Sequence, residues 1–397
     1  MSLRAAFAGA GALGLLGLML AHFTNDMYAN FLPVLIPLLQ EKFHLSFSLI
    51  ALLSSTFTAT ASFLQLLFGY LSDRASPWRF ALIGPLFTGA FMSVVGILPG
   101  YGWIIIALVL AAVGTAMFHP QATAISGQLF SSRKGFYVSL FISAGTLGFA
   151  VGPALMALSL NSWGLDGTPM ALLPLAVLFV LTWHLQRNLS SVHDHSGRVR
   201  PHAEKTSLRG PFRTHIKSLS VLWGLVVLRH LVMLAFQTFF LILLSQRGAD
   251  YLTGSFMLFA FLLIGVLGGL LGGYFSDRWG RWPVILWTFW TGFPAMIGFL
   301  ATTGFPSFVF LLLGGALLNA SNPVIVAQAQ ELAPEHAGMA SAIVMGVGWG
   351  VGGLLVSLVG VLADVSGSLE HALLISTLVA FALTAILATA GRRLLMA

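Results

Sequence analysis

Cysteine is absent from the 397 residues, which excludes disulfide frameworks and every Cys-based metal or redox site. Charge is the second scarcity. Only 8% of residues are Asp, Glu, Lys or Arg, whereas a soluble domain carries about 25% to keep its surface wetted. Hydrophobic residues make up 57%. A chain this poor in charge must turn most of its surface to lipid, which overrides the two or three soluble domains its length alone suggests. Three catalytic signatures are missing as well: an HExxH-like pair, a Walker loop and a G-x-S-x-G nucleophile elbow. Their absence argues against a membrane enzyme and against nucleotide-driven pumping.

Long apolar runs are what the sequence has instead. A membrane helix needs about 20 mostly apolar residues. Such runs fall at 12–39, 46–71, 80–98, 102–127, 136–160 and 168–186, then at 219–244, 252–275, 283–303, 306–330, 338–363 and 371–391. Short breaks such as Leu98-Pro99-Gly100-Tyr101-Gly102 and Thr303-Gly304-Phe305-Pro306 separate neighbours, as antiparallel hairpins require. Barrel strands would instead alternate over about ten residues. The expected fold is therefore all-α, with twelve transmembrane helices. The first run follows Arg4 and continues through Met19 to Leu39. It is too long for a signal-peptide h-region and shows no convincing cleavage site, so it reads as a retained span.

The net charge of +7 does not indicate nucleic acid, because the basic residues sit in short loops and one central linker. With the N-terminus placed in the cytoplasm, sixteen of the nineteen Lys and Arg residues fall inside. Lys42 and Arg247 fall outside, and Arg229 lies within a span. That bias is the positive-inside signature and puts both termini in the cytoplasm. The linker, 188–217, is basic and holds His193, His195, His202 and His215. Their spacing matches no tight metal site, so the segment reads as a headgroup-facing connector. It divides the chain into bundles at 1–187 and 218–397.

The two halves repeat. Gly69-Tyr70-Leu71-Ser72-Asp73-Arg74 closes the second run, and Gly273-Tyr274-Phe275-Ser276-Asp277-Arg278 closes the eighth, 204 positions on. Gly148 and Gly352 share that offset, and His119-Pro120 stands 203 positions before Asn322-Pro323. Three matches at one period mean a duplicated six-helix unit. The paired loops resemble the signature loop of the major facilitator superfamily, G-x-L-[AS]-D-R-x-G-R-[KR]. The second copy keeps the pattern through Trp279-Gly280-Arg281; the first departs from it at Ala75-Ser76-Pro77-Trp78-Arg79. Gly148-Phe149-Ala150-Val151-Gly152-Pro153 resembles the fifth-helix motif associated with drug–proton antiporters. His22-Phe23-Thr24-Asn25-Asp26-Met27, Pro37-Leu38-Leu39-Gln40, Phe118-His119-Pro120-Gln121 and Pro334-Glu335-His336-Ala337-Gly338-Met339 resemble fosmidomycin-resistance-type efflux transporters. The resemblance implies a proton-driven exporter in a bacterial inner membrane. Neither a cofactor nor a protein partner is expected, so the default is a monomer.

The physics of these motifs points to gating and close packing. Asp73 and Asp277 sit near helix N-termini, where the positive end of the dipole favours a carboxylate. Arg74, Arg79, Arg278 and Arg281 can pair across the cytoplasmic face and hold it shut; the alternative is a role in folding and topology alone. Gly148 and Gly152, beside Pro153, and Gly346, Gly348, Gly350 and Gly352 predict close helix contacts. Glu331, Arg133 and Lys134 read as solvated loop charges.

Polar residues inside lipid cost about 2.5–3.5 kcal/mol for an Asp or Arg at mid-helix, so they tend to face a cavity, pair, or mark a pathway. The first helix carries His22, Asn25, Asp26 and Asn30, with 22, 26 and 30 on one face. The fourth carries His119 and Gln121, the seventh Arg229, His230 and Gln237, and the tenth Asn319, Asn322 and Gln328. Helices one, four, seven and ten line the cavity in the superfamily that the chain resembles. Adding the repeat offset to Asn25 and Asp26 gives Arg229 and His230, which predicts that the two places face each other near the midplane. Competition between a proton and a cationic partner for Asp26 is a sufficient basis for antiport, with His22 and His230 as relay members. A permanent Asp26–Arg229 ion pair is the alternative, and a second role for Arg229 is to bind an anionic group such as a phosphonate through its planar fork. His119 is either a ligand or relay, or it satisfies a carbonyl that Pro120 frees. Among the aromatics, Phe31, Phe118 and Phe236 are candidates to line an apolar cavity.

Two transport functions stay open. One is proton-coupled export of small drug-like or phosphonate compounds; the other is import of a metabolite such as a sugar or organic anion. The same fold serves both.

Overall fold

The computed structural model describes residues 3–72, 77–126, 129, 134–195, 211–334 and 337–395, and among them every regular element is helical. In lipid, a helix satisfies its backbone polar groups internally, which is why continuous apolar runs resolve this way. The first half holds α1 (Leu3–Ala29), α2 (Leu32–Phe43), α3 (Phe47–Ser72), α4 (Pro77–Val94), α5 (Tyr101–Ser126), α6 (Lys134–Trp163) and α7 (Leu172–His195). The second holds α8 (Pro211–Gln246), α9 (Tyr251–Trp279), α10 (Arg281–Ala301), α11 (Gly304–Leu332), α12 (Ala337–Ser341), α13 (Gly348–Ser366) and α14 (Leu369–Leu395). Ten stretches of the described residues are long and apolar enough to cross a membrane. One of them, Tyr137–Gln186, takes in α6 beyond its first residues and the first part of α7.

Four expected runs depart from a single α-helix, the third by a 3-10 turn at Val95–Ile97. The first breaks between Ala29 and Leu32. Pro33 has no N–H to offer the Ala29 carbonyl, so the helical hydrogen-bond ladder cannot run through this point. The sixth run begins as a 3-10 stretch, Gly164–Ala171, ahead of α7. The eleventh carries a π-helical stretch, Ala342–Val347, between α12 and α13. The middle of the expected linker, 196–210, lies outside the described residues, and its flanks belong to α7 and α8.

The chain forms two compact units: Met1–Leu35 with Phe63–Thr206, and Ile36–Ser62 with Ser207–Ala397. In the first, α1 packs on α6, α7, α4 and α5, and α4 packs on α5. In the second, α8 packs on α13, α14 and α11, α10 on α11, and α9 on α11. The α1–α6 pairing is matched by α8–α13 and the α4–α5 pairing by α10–α11, as a duplicated unit requires. Leu173, Leu270, Leu358 and Ile386 stay exposed, which suits side chains that meet acyl chains rather than water.

Glycine sets how closely helices meet. A Cβ at Gly148 or Gly152 of α6 would collide with the carbonyls of Phe23 and Met27 on α1, and one at Gly145 with the His22 ring. On α9, Gly268 and Gly272 meet the Ala316 and Ala320 carbonyls of α11 in the same manner. Side chains this small let the backbones touch where lipid supplies no hydrophobic drive for association.

Candidate functional site

In the first unit, one turn of α1 gathers a polar cluster within an apolar shell. Phe118 and Phe141 are fully buried, and the Phe141 ring stacks on His22 with centroids 4.3 Å apart. His22 Nδ1 lies 2.8 Å from the Phe141 carbonyl oxygen. A carbonyl only accepts, so Nδ1 carries the hydrogen and Nε2 faces the other way. Nε2 stands 3.2 Å from Asp26 Oδ2. Next to it, His119 Nε2 of α5 stands 3.4 Å from Asp26 Oδ1, and the two imidazole centroids are 5.3 Å apart. The Asp26 side chain is 16% exposed, so the carboxylate is held by both imidazoles yet not sealed.

Asn25 fixes the third edge. Its Oδ1 accepts from the Thr88 hydroxyl of α4 at 2.9 Å, which sets the amide so that Nδ2 donates to Asp26 Oδ1 at 2.9 Å. The same Nδ2 lies 3.4 Å from His119 Nε2. With Nδ1 committed to a carbonyl, a neutral His22 would point a lone pair at the carboxylate. The contact becomes attractive when a proton sits between the two groups, on either one. No metal site was expected, yet folding brings the donor atoms of His22, Asp26 and His119 within 4.8 Å of one another. Three such atoms can share a proton between any two, or a cation among all three.

The second unit buries a different set. Arg229 of α8 is 2% exposed, and its Nη2 donates to Asn322 Oδ1 of α11 at 2.8 Å. His230 stacks on Trp349 of α13, with centroids 5.6 Å apart and planes at 18°. Arg229 Nε, His230 Nε2 and Trp349 Nε1 are all buried with no hydrogen-bond partner.

At the α9–α10 turn, Gly280 (φ 88°) is the single residue between the helices. Arg281 is the hub there. Its Nη1 donates to Asp277 and, at 2.7 Å, to the Ser276 hydroxyl; its Nε and Nη2 each lie 3.1 Å from Glu331 Oε1. Arg278 lies over the Tyr274 ring at 3.7 Å. Glu331, at the end of α11, is 53% exposed, and it also pairs with Arg281 of the turn. Arg79 is exposed. Asp73, Arg74 and Arg133 lie outside the described residues. Gly69 and Gly273 have no neighbour within 4 Å of an added Cβ.

Other expected site residues are held by backbone. Asn30 donates to the Phe149 carbonyl at 2.8 Å, tying the break after α1 to α6. Gln121 donates to the Phe68 carbonyl at 2.8 Å, and Asn319 to Gly315 of its own helix at 2.9 Å. Gln237 is buried on α8, and Pro153 lies inside α6. Gly348 packs on Val226, and Gly352 on the Val227 carbonyl and His230. Phe31 and Phe236 are core residues at 3% and 1% exposure. Thr88 and the Phe141 carbonyl escaped the sequence reading. A lone Thr in an apolar run gives no signal, and a backbone carbonyl gives none at all.

This arrangement, helical units built for a membrane with polar clusters buried on paired helices, defines a membrane transporter fold. Residues 16–357 match the Major Facilitator Superfamily, and the chain belongs to that family. It is 27% identical to the fosmidomycin resistance protein of Escherichia coli over 362 residues, covering 89% of this chain and 87% of that protein. It is 26% identical to YfnC, an uncharacterised MFS-type transporter of Bacillus subtilis, covering 88% and 86%. Among solved structures it resembles an inward-facing bacterial homologue of the human lysosomal transporter Spinster, with a TM-score of 0.80, 14% identity and 98% of each chain covered. It also resembles the nucleoside transporter NupG, with a TM-score of 0.76, 14% identity, and 96% and 99% covered. The chain is a multi-pass membrane protein of a transporter family and not an enzyme.

Proposed function

We propose that the protein is a proton-coupled antiporter that exports small drug-like or phosphonate compounds by alternating access. The observation that carries this reading is Asp26, held at 3.2 Å by His22 and at 3.4 Å by His119. One carboxylate between two imidazoles takes up and releases a proton without leaving a bare charge in an apolar surrounding. The similarity to a fosmidomycin resistance protein supports export as the direction. The lopsided placement of Lys and Arg supports cytoplasmic termini in a bacterial inner membrane.

Import of a sugar fits less well. Such a carrier offers its cargo free amide and hydroxyl groups, and here Asn30, Gln121 and Asn319 already donate to backbone carbonyls. The test is fosmidomycin accumulation in everted vesicles with and without an imposed proton gradient, for wild type and Asp26→Asn. Accumulation that needs both the gradient and Asp26 supports the reading. Accumulation that survives Asp26→Asn makes the carboxylate structural, and no accumulation in the wild type withdraws this cargo.

A further inference from the structure

We infer that Arg229 forms an anion subsite in the second unit, built to hold the oxyanion head, such as a phosphonate, of a small and otherwise apolar cargo. The inference rests on the transport reading above and adds the charge of what is carried.

Arg229 is a guanidinium, charged at any physiological pH, and 2% exposed in the middle of a membrane helix. No carboxylate among the described residues of the second unit pairs with it. Its one partner is the neutral amide oxygen of Asn322, at 2.8 Å, and its Nε is buried with nothing to donate to. A buried cation without a counter-charge is a costly arrangement unless an anion completes it. The next residue, His230, stacks on Trp349, and His230 Nε2 and Trp349 Nε1 are likewise buried without a partner. Arg229 Nε and Trp349 Nε1 only donate, and His230 Nε2 donates in one of its tautomers, so an acceptor would satisfy each of them. Arg is also the side chain whose planar fork best matches an oxyanion.

The repeat sharpens the assignment. Positions 25 and 26 of α1 correspond to 229 and 230 of α8, and His119-Pro120 of α5 corresponds to Asn322-Pro323 of α11. In the first unit, α1 and α5 meet at this place as a carboxylate held by imidazoles. In the second, α8 and α11 meet there as a guanidinium held by an amide. Equivalent slots with opposite charge bind opposite ions: the first takes a proton, the second an anion. The π-helical stretch Ala342–Val347 packs against α8 and α11 just before Trp349. Such departures from α geometry are frequent at functional sites.

The test uses purified full-length protein with n-propylphosphonate as the probe and its diethyl ester as the uncharged twin. Affinity is read by calorimetry and stability by thermal unfolding. The phosphonate should bind and raise the melting temperature, and the ester should do neither. Arg229→Gln should weaken phosphonate binding by roughly tenfold or more. The same substitution removes an unpaired buried charge, so the unliganded melting temperature should hold or rise. If Arg229→Gln does not fold, Arg229→Lys carries the test, keeping the charge without the fork and losing part of the affinity. Unchanged affinity in whichever variant folds overturns the subsite, as does a wild type that binds the ester equally or binds neither compound. Binding without proton-driven transport would sink the coupling reading and leave this site standing. Proton-driven transport by a protein that does not bind the phosphonate would do the reverse.

Discussion

His22 and Phe141 are joined twice: the Nδ1 of the histidine meets the Phe141 carbonyl at 2.8 Å, and the two rings stack at 4.3 Å. Together these contacts lock the imidazole plane and aim Nε2 at Asp26. A histidine free to rotate could satisfy itself elsewhere; this one is left with a single direction in which to exchange a proton. Geometry of this kind resembles the outer-shell carbonyl that fixes a liganding histidine in metal sites, where the second nitrogen is the working one.

His22→Phe separates these roles. The substituted ring keeps the packing against Phe118 and Phe141 and loses only the nitrogens. A charge-assisted hydrogen bond is worth about 1.5–3 kcal/mol, so gradient-driven export should fall roughly tenfold or more, and its pH dependence should flatten. The melting temperature should fall modestly, because the Nδ1 hydrogen bond to the Phe141 carbonyl goes with the nitrogens, while the protein still folds. Unchanged pH dependence in a folded His22→Phe protein would remove His22 from the proton path.

The proton reading of the cluster also makes a prediction about metals. If His22, Asp26 and His119 exchange protons, treating vesicles with EDTA should leave the gradient-driven rate unchanged. A rate abolished by the chelator and restored by added zinc would assign the three donors to a cation instead.

How far the sequence reached follows from what each signal depends on. Span positions depend on composition along the chain, and the repeat on spacing, so both were legible. The break at Asn30–Phe31 was overlooked although Pro33 announces it, because hydropathy runs unbroken across it. Asp26, His22 and His119 were each flagged as polar residues in apolar runs. His22 and Asp26 lie one helical turn apart, but what joins His119 to Asp26 is a contact over 93 positions, which one sequence without an alignment cannot supply. Asp364 is a similar case: its carboxylate accepts from the Phe47 and Ser48 amides at 2.8 Å, 317 and 316 residues away. Nothing near it in the sequence marks that cap.

Arg281 joins the end of α9 to the end of α11 through Asp277 and Glu331. Both carboxylates are more than half exposed, so each pair alone is worth about 0–1 kcal/mol. Glu331→Gln should therefore lower stability by less than about 1 kcal/mol, and Arg281→Ala by more, since it strands Ser276, Asp277 and Glu331 together. In about 1 M salt, where the screening length is about 3 Å, most of the Glu331→Gln difference should vanish. A difference that persists would mean the contact is steric rather than ionic.

Asp250 caps α9 by accepting from the Thr253 amide at 2.9 Å, and hydrogen bonding from the Thr253 hydroxyl, and next from its amide, holds the carboxyl below the usual carboxylate range. The sign follows from linkage. A carboxyl with a lowered folded value contributes stability above its unfolded value and loses it as pH falls through the folded one. Asp250→Asn, which keeps an accepting oxygen but no charge, should cost stability at pH 7 and little in acid below the lowered value. Thermal melts of both proteins across that range check it, and a constant difference at all pH values would remove charge from the cap.

Gly145 and Gly148 of α6 should respond to alanine in the opposite sense to Gly273 of α9. At Gly145 the new methyl meets the His22 ring, and at Gly148 it meets the Phe23 carbonyl. The Phe23 carbonyl cannot retreat without moving α1, and the His22 ring can retreat only by leaving its stack on Phe141, so overpacking should cost about 1–3 kcal/mol at each position. Gly273 has open space where its Cβ would be, so Gly273→Ala should instead add about 0.5–1 kcal/mol by reducing the freedom of the unfolded chain. Unfolding of the purified protein in detergent reads all three. Gly145→Ala gives a second readout, because displacing the His22 ring from Asp26 should alter the pH dependence of export, whereas Gly148→Ala acts one turn away from the cluster. Equal stability losses with equal effects on the pH profile would mean that α6 supports α1 as a whole and does not position His22.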